Sequence, residues 1–249
     1  METSNDKRVL IIADAHLPLD DRPGGAEQRK AFLELIRHHR GQLGTLVLLG
    51  DVFDFWYEWK HVVPKRAFAI LSELRQIVDS GVPVHYFAGN HDFRIHDFLS
   101  NDIGLILHMD EWQVELDGRK YWFHHGDGLA KSDVNYRRMK SLFRNRVAQF
   151  LFGVLVHPDF AMGLGRTTSD GGRKKTELRR EIWPPEPEYI EAAKRILAKT
   201  GRDIVVIGHT HIANTVKLDN GFYHNPGPFY QERRYSFIAG ELPQSEVWR

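Results

Sequence analysis

Four short, predominantly apolar runs punctuate the chain, Val9–Ala13, Thr45–Leu49, Val82–Ala88 and Asp203–Ile207, and each passes directly into a polar motif. Runs of this length with little polar alternation read as strands buried on both faces. Between them the apolar spacing changes to the helical period. Ala26–His39, with Phe32, Leu33, Leu35 and Ile36 on one side, Pro64–Ser80 and Pro187–Thr200 are predicted helices, the first and last ended by Gly41 and Gly201. Strand alternating with helix implies a largely parallel sheet with helices outside it. Two further pairs of extended segments predict hairpins of a second, antiparallel sheet. They are Glu111–Leu116 with Lys120–His124 around Asp117-Gly118, and Thr215–Leu218 with Phe222–His224 around Asn220-Gly221.

One region breaks the pattern. From 134 to 183, basic residues are mixed with Phe143, Phe150, Leu151, Phe152, Val154, Leu155, Val156, Phe160 and Leu164, which reads as an inserted, amphipathic helical lid. The 249 residues suit one domain, 1–249, with this insertion inside it. The formal net charge of +1 gives no global attraction to nucleic acid, and no nucleic-acid partner is expected. Charge is nevertheless concentrated: Lys131–Arg180 holds twelve basic residues against four acidic ones, a local excess of +8.

With no cysteine there are no disulfides and no thiolate metal sites, so any metal must sit on oxygen and imidazole. The Val9–Ala13 run is too short for a signal-peptide core or a membrane span. A cytoplasmic location is therefore expected.

The candidate chemistry sits where extended segments end. Asp14-Ala15-His16 follows the first, and residues two apart on extended backbone point the same way, so a carboxylate and an imidazole can converge on one ion. Gly50-Asp51-Val52-Phe53-Asp54 follows the second, placing Asp51 at the carboxyl end of a strand, where open α/β sheets gather ligands. Gly89-Asn90-His91-Asp92 offers an amide oxygen, an imidazole and a carboxylate to orient that imidazole. His125-Gly126-Asp127 and Gly208-His209-Thr210-His211 complete the series. Five strand exits thus each present Asp, Asn or His beside small residues.

In order and spacing this series resembles the calcineurin-like metallophosphoesterase superfamily. The resemblance implies an α/β (α+β) fold, a four-layer αββα sandwich of two facing mixed β-sheets with the insert as a helical lid, and two divalent metal ions at the strand ends. Carried over, Asp14, His16, Asp51 and His211 would hold one metal, and Asp51, Asn90, His125 and His209 the other, with Asp51 as the bridge. Two cations roughly 3.5 to 4 Å apart can activate water and clamp an in-line displacement at phosphorus. His91, with Asp92 beside it, resembles the family's catalytic histidine. Manganese is the expected metal by resemblance, and the same donors suit iron or zinc.

The longer phrases Gly50–Trp59 (GDVFDFWYEW), His125–Leu129 (HGDGL) and Ser132–Tyr136 are similar to the UDP-2,3-diacylglucosamine pyrophosphohydrolases of lipid A biosynthesis. That resemblance implies hydrolysis of a nucleotide-linked glycolipid, with Asp133 and Tyr136 holding substrate; Asn90 and His91 are further candidates for substrate contact, and Arg94 and Arg137 are candidates for phosphate contacts that read equally as surface charges. A lid rich in both cations and apolar residues suits a diphosphate with two acyl chains, and peripheral contact with an anionic membrane at its inner face. His91 itself stands where the enterobacterial branch of those enzymes has arginine. Two other readings stay open at this level: a metallophosphoesterase acting on a soluble nucleotide or other phosphoester, and a partner-binding scaffold without turnover.

Overall fold

The computed structural model of the chain describes residues 8–134, 145–165, 167, 186–240 and 242–249. Of the expected insert, Val134, 145–165 and 167 are described, and Tyr136 and Arg137 lie outside the described residues.

A six-stranded sheet has the order β13-β12-β1-β2-β4-β6, built from β1 (Arg8–Ile12), β2 (Leu43–Leu48), β4 (Val84–Phe87), β6 (Ile106–His108), β12 (Arg234–Ile238) and β13 (Gln244–Val247). Its β1, β2, β4 and β6 run parallel, and β12 and β13 complete it antiparallel. The second sheet has the order β10-β11-β9-β8-β7, from β7 (Trp112–Leu116), β8 (Arg119–His124), β9 (Ile204–Ile207), β10 (Asn214–Leu218) and β11 (Gly221–Asn225).

The expected hairpins form, but the sheet they belong to is mixed rather than antiparallel. β9 lies between them, parallel to both β8 and β11, and so leaves the first sheet for the centre of the second. All four residues of β9 are buried, as a central strand covered on both faces requires.

Alternation along the strands explains the layering. On β1, Leu10 and Ile12 join a core with Phe32, Leu35 and Ile36 of α1 (Gly25–His39) and Ile70, Leu71, Leu74 and Ile77 of α2 (Phe68–Asp79). Val9, Ile11 and Ala13 face the other way and meet Tyr121, Phe123, Ile204 and Val206 of the second sheet. Val205 and Ile207 in turn pack on Tyr189, Ala193 and Leu197, which lie on the helix Glu186–Thr200. Three apolar interfaces therefore separate helix, sheet, sheet and helix, the αββα sandwich the resemblance implied.

In the insert, α3 (Arg146–Leu155) is capped by Asn145, whose side chain accepts from the backbone N–H of Val147 and Ala148 at 3.0 Å each. A helix over Pro158–Gly165, α4, follows at 115° to it. The helix Glu186–Thr200 is then α5, and a short α6 spans Phe229–Glu232. Among the described residues no single helix is long and apolar enough to cross a membrane, although α3 and α4 together have the composition for it.

Candidate metal centre

The loops that leave β1, β2 and β9 interlock through their backbones. Asp14 N–H donates to Gly50 O at 3.2 Å, His16 N–H to Asp51 O at 2.8 Å, and His209 N–H to the Asp14 side chain at 2.9 Å. Asp14, His16, Asp51, His209 and His211 all have φ between 42° and 63°, the left-handed region. For residues with a Cβ this costs on the order of 1–2 kcal/mol each, strain that persists only where surroundings impose it. The glycines beside them make room. A Cβ on Gly50 would lie 2.3 Å from His125 Nδ1, and one on Gly89 would lie 2.1 Å from Asp51 Oδ1.

The side chains form two adjoining clusters. In the first, His16 Nε2 lies 3.2 Å from His211 Nε2, and His211 Nε2 lies 3.3 Å from Asp14 Oδ1. In the second, His125 Nε2 lies 3.3 Å from Asn90 Oδ1, 3.3 Å from His209 Nδ1 and 3.4 Å from Asp51 Oδ2. Asp51 joins them, since Oδ2 is also 3.8 Å from His16 Nε2. All seven candidate ligands expected from the sequence thus meet in one place, grouped as the two sets around Asp51.

Hydrogen bonds fix which ring nitrogen faces inward. His125 Nδ1 is 2.9 Å from Leu49 O, a carbonyl that only accepts, so Nδ1 carries a proton and Nε2 is the nitrogen turned to the cluster. Behind the His209 loop, buried Asn225 donates from Nδ2 to Gly208 O and Thr210 Oγ1, both at 2.9 Å, and accepts Gly227 N–H at 2.8 Å.

The electrostatics are those of buried acids and imidazoles held close together. Burial opposes ionisation of Asp51, yet His125, His91 and His16 hold its carboxyl well below the usual carboxylate range. Burial likewise disfavours the charged form of His125, and Asp51 outweighs it, pushing the imidazole up to about 10. His209 is held down to about 4 by burial and by His125, and so stays neutral as a nitrogen donor must. Asp14 Oδ1 is buried and, with His211 Nε2 at 3.3 Å, accepts no well-aligned hydrogen bond. Carboxylate, amide oxygen and imidazole lone pairs converging this closely fit divalent cations.

His91 stands over Asp51. Its backbone N–H donates to Asp51 Oδ1 at 2.9 Å, and its Nε2 is 4.0 Å from Oδ2. The expectation that Asp92 orients this ring is corrected. Asp92 accepts from the Tyr86 hydroxyl and from Gly89 N–H, both at 2.8 Å, while His91 Nδ1 lies 2.7 Å from the Asp54 carbonyl. Backbone geometry after β4 turns the Asp92 carboxylate back under the loop. Burial and the nearby Asp51 charge push that carboxyl up to about 7.

Asp54 is thus an orienting residue that motif reading left without a role, although it closes the GDVFD phrase. Its carboxylate is 3.8 Å from His16 Nδ1 and accepts from Arg22 Nη1 at 2.5 Å.

The expected substrate contacts are placed unevenly. Asp133 accepts from the Tyr189 hydroxyl at 3.3 Å, and the Tyr189 ring lies 6.0 Å from that of His209, so Tyr189 stands between Asp133 and the second cluster. Arg94 donates from Nη1 to the Tyr57 hydroxyl at 3.2 Å, with its guanidinium over the Tyr57 ring.

A family model described as calcineurin-like phosphoesterase matches residues 7–213. A UDP-2,3-diacylglucosamine hydrolase of Porphyromonas gingivalis is 35% identical over 222 residues, covering 82% of this chain and 83% of the relative. Another, of Pseudomonas fluorescens strain SBW25, is 31% identical over 216 residues, covering 86% and 82%. Among solved structures, an archaeal phosphodiesterase is 14% identical with a TM-score of 0.47, covering 96% of this chain and 99% of that one, a likeness that carries no argument at this distance. The matched span takes in every residue of both clusters, from Asp14 to His211, and with it the chain belongs to the calcineurin-like phosphoesterase family.

Proposed function

We propose that this protein hydrolyses UDP-2,3-diacylglucosamine, water attacking phosphorus to release UMP and 2,3-diacylglucosamine 1-phosphate. The observation that carries the reading is an apolar helix fixed beside the metal centre. Gln149 of α3 donates to the carbonyl of Phe93, two residues from His91, while Phe150 and Leu155 of the same helix are 61% and 75% exposed. A site for phosphoester chemistry alone has no need of such a surface, whereas a substrate with two acyl chains does. Relatives named UDP-2,3-diacylglucosamine hydrolase along most of the chain support the same substrate.

In this reading Asp14, His16, Asp51 and His211 hold one divalent cation, and Asp51, Asn90, His125 and His209 the other, manganese in both places. When bound, the pair supplies an acidified water and charge neutralisation at phosphorus. The protein's own part is orientation and proton transfer. His91 presents Nε2 above Asp51 because Nδ1 is spent on the Asp54 carbonyl, which suits it to donate to a phosphoryl oxygen or the departing group. Asp133, hydrogen-bonded to Tyr189, is suited to the sugar or nucleotide hydroxyls, with Tyr136 and Arg137 assigned to the same substrate. The exposed apolar face of α3 and α4 also suits the protein to rest on the inner face of an anionic membrane from the cytoplasm.

Purified protein loaded with Mn²⁺ is expected to release UMP from UDP-2,3-diacylglucosamine, followed by chromatography. No UMP from metal-replete protein would overturn the proposal.

A further inference from the structure

Among the described residues, one small joint ties α3 and α4 of the insert to the segments on either side of the metal motifs. β3 (Trp56–Tyr57) and β5 (Asp92–Arg94) form a two-stranded parallel ribbon, and β5 begins immediately after His91. Phe55 and Tyr57 lie two residues apart and project to one side of it. Each fills a space kept open by a glycine of the insert. A Cβ on Gly153 of α3 would lie 2.6 Å from the Tyr57 hydroxyl oxygen, and one on Gly165, at the end of α4, would lie 2.5 Å from Phe55 Cγ.

Hydrogen bonds close the joint. The Tyr57 hydroxyl donates to the carbonyl of Gln149, and the Gln149 side chain donates to Phe93 O at 2.8 Å. Phe152 packs on the Tyr57 ring with centroids 5.2 Å apart. Elsewhere α3 exposes Val147, Phe150, Leu151 and Val154.

We propose that Tyr57 and Gln149 are specificity-determining positioning residues, fixing α3 against the ribbon that follows directly on His91 so that turnover of a long-tailed phosphoester depends on this joint. The inference rests on the proposed amphiphilic substrate but not on its sugar or its nucleotide. Neither side chain belongs to the metal clusters. A tail laid along α3 helps the reaction only if that helix stands at a fixed distance from the reacting phosphorus, since the gain from apolar burial is otherwise lost to misplacement. A short ester reaches no part of α3 and is indifferent to where the helix lies.

The test compares dodecyl p-nitrophenyl phosphate with ethyl p-nitrophenyl phosphate, two esters alike at phosphorus, on the Mn²⁺-loaded full chain. The unmodified protein is expected to prefer the dodecyl ester. Tyr57→Phe, Gln149→Leu and Gly153→Ala should each lower kcat/KM for the dodecyl ester about tenfold while the ethyl ester changes by less than about twofold. Gly153→Ala discriminates most sharply. Alanine favours helix over glycine, so a lost preference there reports displacement at Tyr57 and not unravelling of α3. Absence of any chain-length preference in the unmodified protein, variants that keep its preference, or both esters falling together would overturn the inference. A retained dodecyl preference without UMP release from UDP-2,3-diacylglucosamine would instead reject the proposed substrate alone.

Discussion

Asp51 stands between the two clusters, and its two oxygens divide the work. Oδ1 takes the His91 backbone N–H, while Oδ2 faces His125, His16 and the His91 ring. Asp51→Ala should therefore remove both cations and nearly all turnover together, measured as bound manganese per chain and as UMP release. His91→Ala is expected to leave metal content intact and lower kcat by roughly two to four decades, the usual worth of a positioned acid. Equal metal loss in the two variants would mean that His91 acts through the cations. Gly89 tests the packing behind them. An alanine Cβ there would stand 2.1 Å from Asp51 Oδ1 and 2.6 Å from the Asp51 backbone nitrogen, neither of which can swing away. Gly89→Ala should cost about 1–3 kcal/mol in urea unfolding and weaken manganese binding, and wild-type values for both would refute the crowding argument.

Among the elements, α3 and α4 depart most from the habits of the rest. Helices α1, α2 and α5 bury one apolar stripe against a sheet, as their sequence period required. The insert instead leaves Phe150, Val154 and Leu155 of α3 and Phe160 of α4 largely exposed, while its small residues Ala161 and Gly165 face the core. Apolar surface of this extent at the elbow of two helices is expected to enter a bilayer interface. The protein should co-float with vesicles containing phosphatidylglycerol more than with pure phosphatidylcholine, and Val154→Asp with Leu155→Asp should abolish the difference. The two substitutions lie on exposed positions and should leave the circular dichroism unchanged. Co-flotation equal to wild type in that double variant would remove the membrane from the proposal.

For the molecule as a whole, the seam between the two sheets holds a polar link whose protonation matters. His224 of β11 is completely buried, with Nε2 2.9 Å from Ser236 Oγ of β12 across the seam and Nδ1 2.8 Å from Thr215 Oγ1. Burial lowers its pKa from 6.5 to about 3. The unfolded chain then takes up this proton first, so the stability it represents is whole above pH 6.5 and is lost as pH falls from there toward 3. At pH 5 the loss from this one group is about 2 kcal/mol. His224→Gln keeps a donor and an acceptor but cannot titrate, and its guanidinium unfolding should lose less stability between pH 7 and pH 5 than wild type. An unchanged pH slope would show that His224 is not a source of the acid sensitivity. The same seam marks how far the primary structure could be read. Local chemistry sufficed where a signal is carried by adjacent residues: the apolar runs that became β1, β2, β4 and β9, the helical periods of α1 and α5, the hairpin turns, and the Asp, Asn and His motifs that end up around Asp51. Both sheets are covered on two faces, so the four buried apolar residues of β9 leave open which of them it joins. β12 acquires its place only by pairing with β1, its partners there lying 225 to 229 residues away along the chain, and β13 by pairing in turn with β12. The true partner of the His91 ring is a backbone carbonyl, that of Asp54, and a backbone carbonyl has no residue type by which a motif could announce it. Sequence determined which ligands the protein owns and which segments carry them; tertiary structure decided which atoms face the cations and where the insert rests, because distance and orientation across the sandwich are properties of packed layers and not of neighbours along the chain.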